Sequence, residues 1–204
     1  MEKITDIDWT LYTHYFPPKY WEKSDFDTFV EDLMRDSKQH INLVLDVGAG
    51  TKGSFVLESF NQISKYFLDP NIPKIPHDYL PFDENLKYDL ILLRGCANYL
   101  EAKELLNLKK ALAPWGMLAF NTFYKKPSEN KKTFEFYNKK GNFSLEESFY
   151  VPLENKIYHS IHTENKIFRH SFYYRDLNFW SGLLGRPLKM KLNGSSAYFI
   201  FGNK

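Results

Sequence analysis

The chain has 204 residues, room for one domain with a full core but not for two ordinary ones. Its formal charge of +2 excludes a general field for steering nucleic acid or anionic lipid, and its 43% hydrophobic and 25% charged residues are those of a soluble globular chain. A single cysteine, Cys96, excludes an internal disulfide and a cysteine-built zinc site, and no metal is expected.

Residues 1–16 contain acids and no apolar core segment, so they do not read as a signal peptide. No stretch approaches the ~20 apolar residues of a membrane span. A cytoplasmic protein with no membrane contact is the expectation. Residues 1–23 form an aromatic leader that includes Trp9, Tyr12, His14, Tyr15, Phe16 and Trp21. Ser24 then reads as a helix N-cap, with Asp25 and Asp27 in the first turn, where the helix dipole favours anions. Phe26, Phe29, Val30, Leu33 and Met34 give one apolar stripe, and the helix should end near residues 38–40.

Residues 41–47 (INLVLDV) read as a strand buried on both faces, as in parallel sheets. A glycine loop follows, then a helix expected from Phe55, Val56, Leu57 and Phe60, then a strand over 63–69. This order is a βαβ unit. Residues 89–93 (DLILL) form another buried strand. Residues 101–113 have helical spacing, with Lys109 and Lys110 in the last turns, and Pro114-Trp115-Gly116 should stop the helix before a strand over 117–123. Residues 124–150 hold six lysines between Lys125 and Lys140 with little periodicity, and read as an irregular exposed insertion. Residues 157–162 and 167–174 suggest a hairpin, and 176–184 a short helix ended by Gly185. Residues 188–192 and 197–201 flank Asn193-Gly194, the favoured type I′ turn.

Gly48, Gly50 and Gly53 fit G-x-G-x-x-G between a strand and a helix. Glycine lets the backbone turn sharply and approach a ligand with no Cβ in the way. Two ligand classes compete. A dinucleotide needs an acid roughly 20 residues on, and Asp69 satisfies that spacing. Asp46, two positions before Gly48, should face the ligand crevice, where it would repel a pyrophosphate. S-adenosylmethionine brings no phosphate, so an acid there suits it.

VLDVGAGTKGSF resembles the first motif of class I S-adenosylmethionine-dependent methyltransferases, with Asp46, Gly48, Ala49 and Gly50 in matching places. KYFLDPN resembles their second strand, and the resemblance gives Asp69, next to Pro70, the ribose hydroxyls. HDYLPFDENLKYDLILLRGCANYL resembles the following segment, and places Asp78 and Tyr79 against the adenine. It covers residues 41–123 and 175–202, and implies an α/β, Rossmann-like, mostly parallel sheet with helices on both faces and a C-terminal antiparallel hairpin. Two departures stand out. Lys52 occupies a position that is often glycine, and the short stretch from Asp69 to Asp89 leaves the region between strands 2 and 4 without its usual helix and with its third strand reduced to a turn.

The resemblance puts Arg94, Gly95, Asn98 and Tyr99 beside the transferred methyl group. Arg94 is counted with the cofactor residues. The motifs of base and ribose methyltransferases are absent. His159 and His162, three apart in a strand, point to opposite faces, which argues against a shared metal. The chain therefore reads as one methyltransferase domain: lid and helix (1–40), cofactor core (41–123), insertion (124–174), and a C-terminal helix and hairpin (175–204). The leader and insertion should meet over the carboxyl ends of the strands, with Tyr12, His14, Tyr15, Asn98, Tyr99, Tyr173 and Arg175 near a small-molecule acceptor. Nucleic acid, through the lysines of the insertion, is the less favoured partner. A methyltransferase-like module without catalysis and a nicotinamide-dependent oxidoreductase are the remaining alternatives. The acceptor and the oligomeric state are not legible.

Overall fold

The structure, a computed structural model, describes residues 23–36, 41–48, 53–54, 56–57, 60, 62–69, 78–126, 132–137, 143–163 and 167–203. Eleven strands in these residues form two sheets. The central sheet contains β1 (Leu43–Val47), β2 (Ser64–Leu68), β3 (Tyr79–Pro81), β4 (Tyr88–Leu93), β5 (Leu112–Phe123), β10 (Lys189–Asn193) and β11 (Ser196–Gly202), in the order β10-β11-β5-β4-β1-β2-β3. The pairs from β3 to β5 are all parallel, whereas β11 runs antiparallel to β5 and β10.

Strands β1 and β4 are the apolar runs VLDV and LILL, nearly all buried, because side chains alternate to two covered faces. On one face Val44, Leu90, Leu92, Ala119 and Ile200 meet Phe26, Phe29 and Val30 of helix α1 (Asp25–Asp36). On the other, Leu45, Ile91, Leu93, Leu118, Phe120 and Phe199 meet Leu105 and Leu108 of α2 (Ala102–Lys110) and Trp180 and Leu184 of α3 (Leu177–Leu184). Full burial of each such side chain is worth roughly 1.5–3 kcal/mol. The helices begin as their caps dictate. Ser24 and Asp27 bond reciprocally, with the Asp27 amide donating to Ser24 Oγ (3.2 Å) and the Ser24 amide donating to Asp27 Oδ2 (2.8 Å). Asp176 Oδ1 accepts from the Phe179 amide at 2.7 Å.

Four local expectations change. Where a helix was expected after β1, the described residues show one 3₁₀ turn at Val56 and Leu57, both buried. The third strand is present, three residues long, and parallel to β2. Pro114-Trp115-Gly116 does not precede β5 but lies inside it. The ladder slips between the Tyr88–Leu112 and Leu90–Met117 pairs, and this irregularity accommodates a proline without an N–H. The C-terminal turn centres on Gly194-Ser195, because Asn193 already pairs with Ser196. Gly194 has φ +60° and Ser195 does not share it, which makes the turn type II′ rather than I′.

The largest correction is the insertion. The described residues within 124–150 are largely strand, not irregular. β6 (Lys132–Tyr137), β7 (Phe143–Val151), β8 (Lys156–Thr163) and β9 (Ile167–Tyr173) form a four-stranded antiparallel sheet in sequence order. The expected hairpin is its β8–β9 pair. Among the described residues, no helix is long and apolar enough to cross a membrane, and no group of three or more His, Cys, Asp or Glu is placed to hold a metal.

Candidate functional site

The chain runs β1, β2, β3 toward one edge of the central sheet and then returns to β4 on the other side of β1. In open α/β sheets such a reversal leaves a crevice outside the carboxyl ends of the two strands. Val47 pairs with both Leu68 and Leu93, so Gly48, Asp69 and Arg94-Gly95 leave the sheet side by side there. The Gly48 amide donates to the Leu68 carbonyl at 2.9 Å and fixes the start of the glycine loop.

Gly48 has to be glycine. Its φ is +69°, and a Cβ there would lie 2.8 Å from Cys96 Cβ. Cys96 comes from the turn after β4, with its Sγ donating to the Val47 carbonyl at 3.0 Å. Burial, with Asp46 and Asp69 nearby, pushes its thiol pKa up, so it stays protonated. Gly95, at φ +74°, would meet nothing with an added Cβ, and its amide donates to Asn121 Oδ1 at 2.6 Å.

Asp46 differs in detail from expectation. Its carboxylate is fully buried and faces the loop rather than the crevice. Oδ2 accepts from the Ser54 amide at 2.7 Å and the Tyr79 hydroxyl at 3.2 Å, and Oδ1 accepts from Ser54 Oγ at 2.7 Å. Burial raises its pKa to about 6, while the Ser54 and Tyr79 hydrogen bonds and the Arg94 charge pull it down. Asp46 is thus the staple of the glycine loop.

Tyr79 packs edge-on to Phe67, and its hydroxyl sits where a Gly53 Cβ would fall. Asp78 is exposed, at φ +66°, and precedes Tyr79, which pairs with Lys65. It therefore lies at the amino edge of the sheet, level with Ser64 and five residues, roughly 16 Å, from the level of Asp69. Arg94 turns to α1, where Nη2 lies 3.0 Å from Oδ2 of the buried Asp27. Ala49, Gly50 and Pro70 lie outside the described residues, as do Tyr12, His14 and Tyr15.

The second half of the site joins the two sheets. Asn98 Oδ1 accepts from Thr122 Oγ1 at 2.6 Å, and its Nδ2 donates to the Tyr173 carbonyl at 2.9 Å. Its carbonyl accepts from the Tyr173 amide at 2.8 Å. Arg175 is buried, donating to the Ala97 carbonyl at 2.8 Å and to the Leu100 carbonyl, with its guanidinium over the rings of Tyr173, Phe179 and Trp180. Burial lowers its pKa to about 10, so it remains a cation. Asn98, Tyr173 and Arg175 come together as a pin between the insertion and the turn after β4, with Asn98 bonding the Thr122 hydroxyl and the Tyr173 main chain and Arg175 bonding main-chain carbonyls.

Tyr99 is placed differently. Its ring lies 5.9 Å from His170 and 5.7 Å from Phe172, on the inner face of the insertion sheet. His170 pairs with His159 across β8–β9, with ring centroids 5.0 Å apart. His159 Nδ1 lies 2.7 Å from Ser148 Oγ. Burial and the His159 charge lower the His170 pKa to about 3, and burial lowers that of His159. Sequence reasoning weighed His159 only against His162 and did not reach His170. The signal was the register of the β8–β9 hairpin, which makes them direct neighbours.

No family model matches the chain, and no curated protein matches it. Solved structures do. A S-adenosylmethionine-dependent methyltransferase from Clostridium acetobutylicum superposes with a TM-score of 0.68 at 14% identity, over 95% of this chain and 98% of that one. The fold is the class I methyltransferase fold. CalS10, an amino pentose methyltransferase from Micromonospora echinaspora with S-adenosylmethionine bound, gives 0.64 at 13% identity over both full chains. The 1,6-didemethyltoxoflavin-N1-methyltransferase of Burkholderia thailandensis gives 0.53 at 11% identity, over 96% of this chain and 86% of that one.

Proposed function

We propose that the chain is a S-adenosylmethionine-dependent methyltransferase acting on a small molecule. The observation that carries the reading is the sheet order, with a reversed β11 between β5 and β10 and a crevice at β1 and β4. An all-parallel dinucleotide fold has no such strand. Two structural neighbours that share the architecture hold S-adenosylmethionine and S-adenosylhomocysteine, and are an amino pentose methyltransferase and a 1,6-didemethyltoxoflavin-N1-methyltransferase.

The residues present fit the cofactor. The Gly48 turn and the open Cβ side of Gly95 leave room for a ligand at the strand ends, and Asp69 follows β2 beside them as an acceptor for a ribose diol. Asp46 holds the loop from beneath. Bound there, S-adenosylmethionine would supply a methyl carbon already activated by its sulfonium. What this chain contributes is position and exclusion of water. The insertion sheet, pinned at Asn98 and Arg175, stands beside the open ends of β4 and β5 and supplies the wall that the central sheet lacks. A cytoplasmic setting goes with this reading.

S-adenosylhomocysteine should raise the melting temperature, since a ligand of the folded state stabilises it by mass action. Stabilisation by NAD, with none by S-adenosylhomocysteine, would overturn the proposal.

A further inference from the structure

The face of the central sheet that α2 and α3 cover over β4, β5 and β11 is open at the β3 edge. No described helix lies between β2 and β4 in the chain, and Leu80 and Phe82 stand 50% and 36% exposed. Tyr66 pairs with Leu80, and residues two apart along a strand share a face, so Tyr66, Leu80 and Phe82 stand together. With Pro81, Asp83 and Glu84 they line a groove of about 560 Å³. Its base is fixed. Phe82 stacks on the buried Tyr88 with ring centroids 6.1 Å apart, and Tyr66 meets Tyr88 edge-on at 5.4 Å. The Tyr88 hydroxyl donates to the Asp83 carbonyl at 2.9 Å and accepts from the Asp83 amide at 3.1 Å, and Asp83 Oδ1 accepts from the Asn85 amide at 2.9 Å. The turn that carries both carboxylates is therefore held beside the rings. Among the described residues, none that lines the groove is basic.

We propose that this groove docks a partner protein, which lays an arginine side chain against the Tyr66 and Phe82 rings and the Asp83 and Glu84 carboxylates. The inference is independent of the methyltransferase reading. Charge complementarity selects the occupant. Two carboxylates beside aromatic faces attract a cation, since a ring draws positive charge to its face. A guanidinium suits the place better than an ammonium, because its plane lies flat on a ring while its edge donates to a carboxylate, and it is more weakly hydrated. Leu80 and Pro81 extend the groove for an apolar neighbour of the arginine. The strand edge itself is a poor template. The Phe82 amide donates to the Phe67 carbonyl at 3.1 Å, so the main-chain groups of Pro81, one residue earlier, turn outward, where proline has no N–H to offer. Strand addition is blunted there, which leaves the face as the docking surface.

The peptide acetyl-Arg-Ser-Leu-Ser-Arg-amide tests this, because alternate residues of an extended chain face one side. Its control carries citrulline, an uncharged isostere, in place of both arginines. Binding to the full chain is read from the ring-proton NMR signals of Tyr66 and Phe82. The arginine peptide should shift both sets of signals and bind roughly fivefold or more tightly than the citrulline peptide. Phe82→Leu, which keeps apolar volume without the ring, should cost the arginine peptide about threefold. Glu84→Lys should cost about fivefold or more and leave the citrulline peptide within about twofold of the parent. If Phe82→Leu does not fold, the variant at the exposed Glu84 and the two peptides carry the test by themselves. Equal binding of the two peptides, shifts confined to rings elsewhere, or no loss in Glu84→Lys would overturn the proposal. So would concentration-dependent self-association in sedimentation that Glu84→Lys removes, since it would assign the groove to a second copy of the chain.

Discussion

The two halves of the crevice are built in different ways. The cofactor half is local: Asp46, Gly48, Ser54 and Asp69 lie within 24 residues, and a buried carboxylate staples the loop directly. The roof half is assembled from afar. Arg175 reaches the Ala97 carbonyl across 78 residues of sequence, and Asn98 reaches Tyr173 across 75. A mutation in the first half should damage one loop, whereas one in the second should uncouple two sheets.

The largest expected effect breaks the cofactor half. Gly48→Ala combines a positive φ with a Cβ 2.8 Å from Cys96 Cβ, and should cost about 3–5 kcal/mol and abolish S-adenosylhomocysteine binding. Cys96→Ala should not rescue it, because the contacted Cβ remains. Chemical denaturation and calorimetry of the two variants check both statements.

Next comes the pin of the roof. Arg175→Met should cost about 2–4 kcal/mol, since it leaves the Ala97 and Leu100 carbonyls without their charged donor. Arg175→Lys should recover little, because one ammonium cannot reproduce the planar fork over three rings. Cofactor affinity should fall far less than in Gly48→Ala. Equal losses in the two variants would erase the distinction between the halves.

Asp69→Ala sharpens the same contrast. It should weaken S-adenosylhomocysteine binding at least tenfold, about 1.4 kcal/mol, with the melting temperature of the free protein nearly unchanged. Isothermal titration and a thermal melt decide it.

The last effect is a pH dependence. The folded pKa of His170 lies below its ordinary 6.5, at about 3, so the folded state binds fewer protons there than the unfolded chain. Its contribution is present above pH 6.5 and is lost as pH falls toward 3. Rings of His159, Tyr99 and Phe172 face it, with Ser148 behind His159, and His159 acts in the same direction. Asp46 opposes them: with a folded pKa near 6 against an ordinary 3.8, it gains stability as pH falls through that window. His170→Asn should therefore flatten the acid side of the stability curve, and Asp46→Asn should steepen it.

The same contrast explains what was legible. Strands β1 and β4 could be read because both faces are buried and, Asp46 and Asp89 apart, the residues are apolar. The β8–β9 pair could be read from its alternation, and α1 from Ser24 and its apolar stripe. β6 and β7 were hidden by lysines and glutamates that suggest solvent, although Phe134 and Phe136 alternate with Glu135 as in a strand. Asn98 and Arg175 could be singled out as unusual, but their bonds to distant carbonyls depend on tertiary contacts no local pattern carries.

Titration calorimetry with S-adenosylmethionine, S-adenosylhomocysteine, NAD and NADP tests the central claim most directly. The account predicts saturable binding of the first two, lost in Gly48→Ala and weakened at least tenfold in Asp69→Ala, and no binding of the nicotinamides. Saturable binding of NAD or NADP, with neither S-adenosyl compound bound, would contradict it.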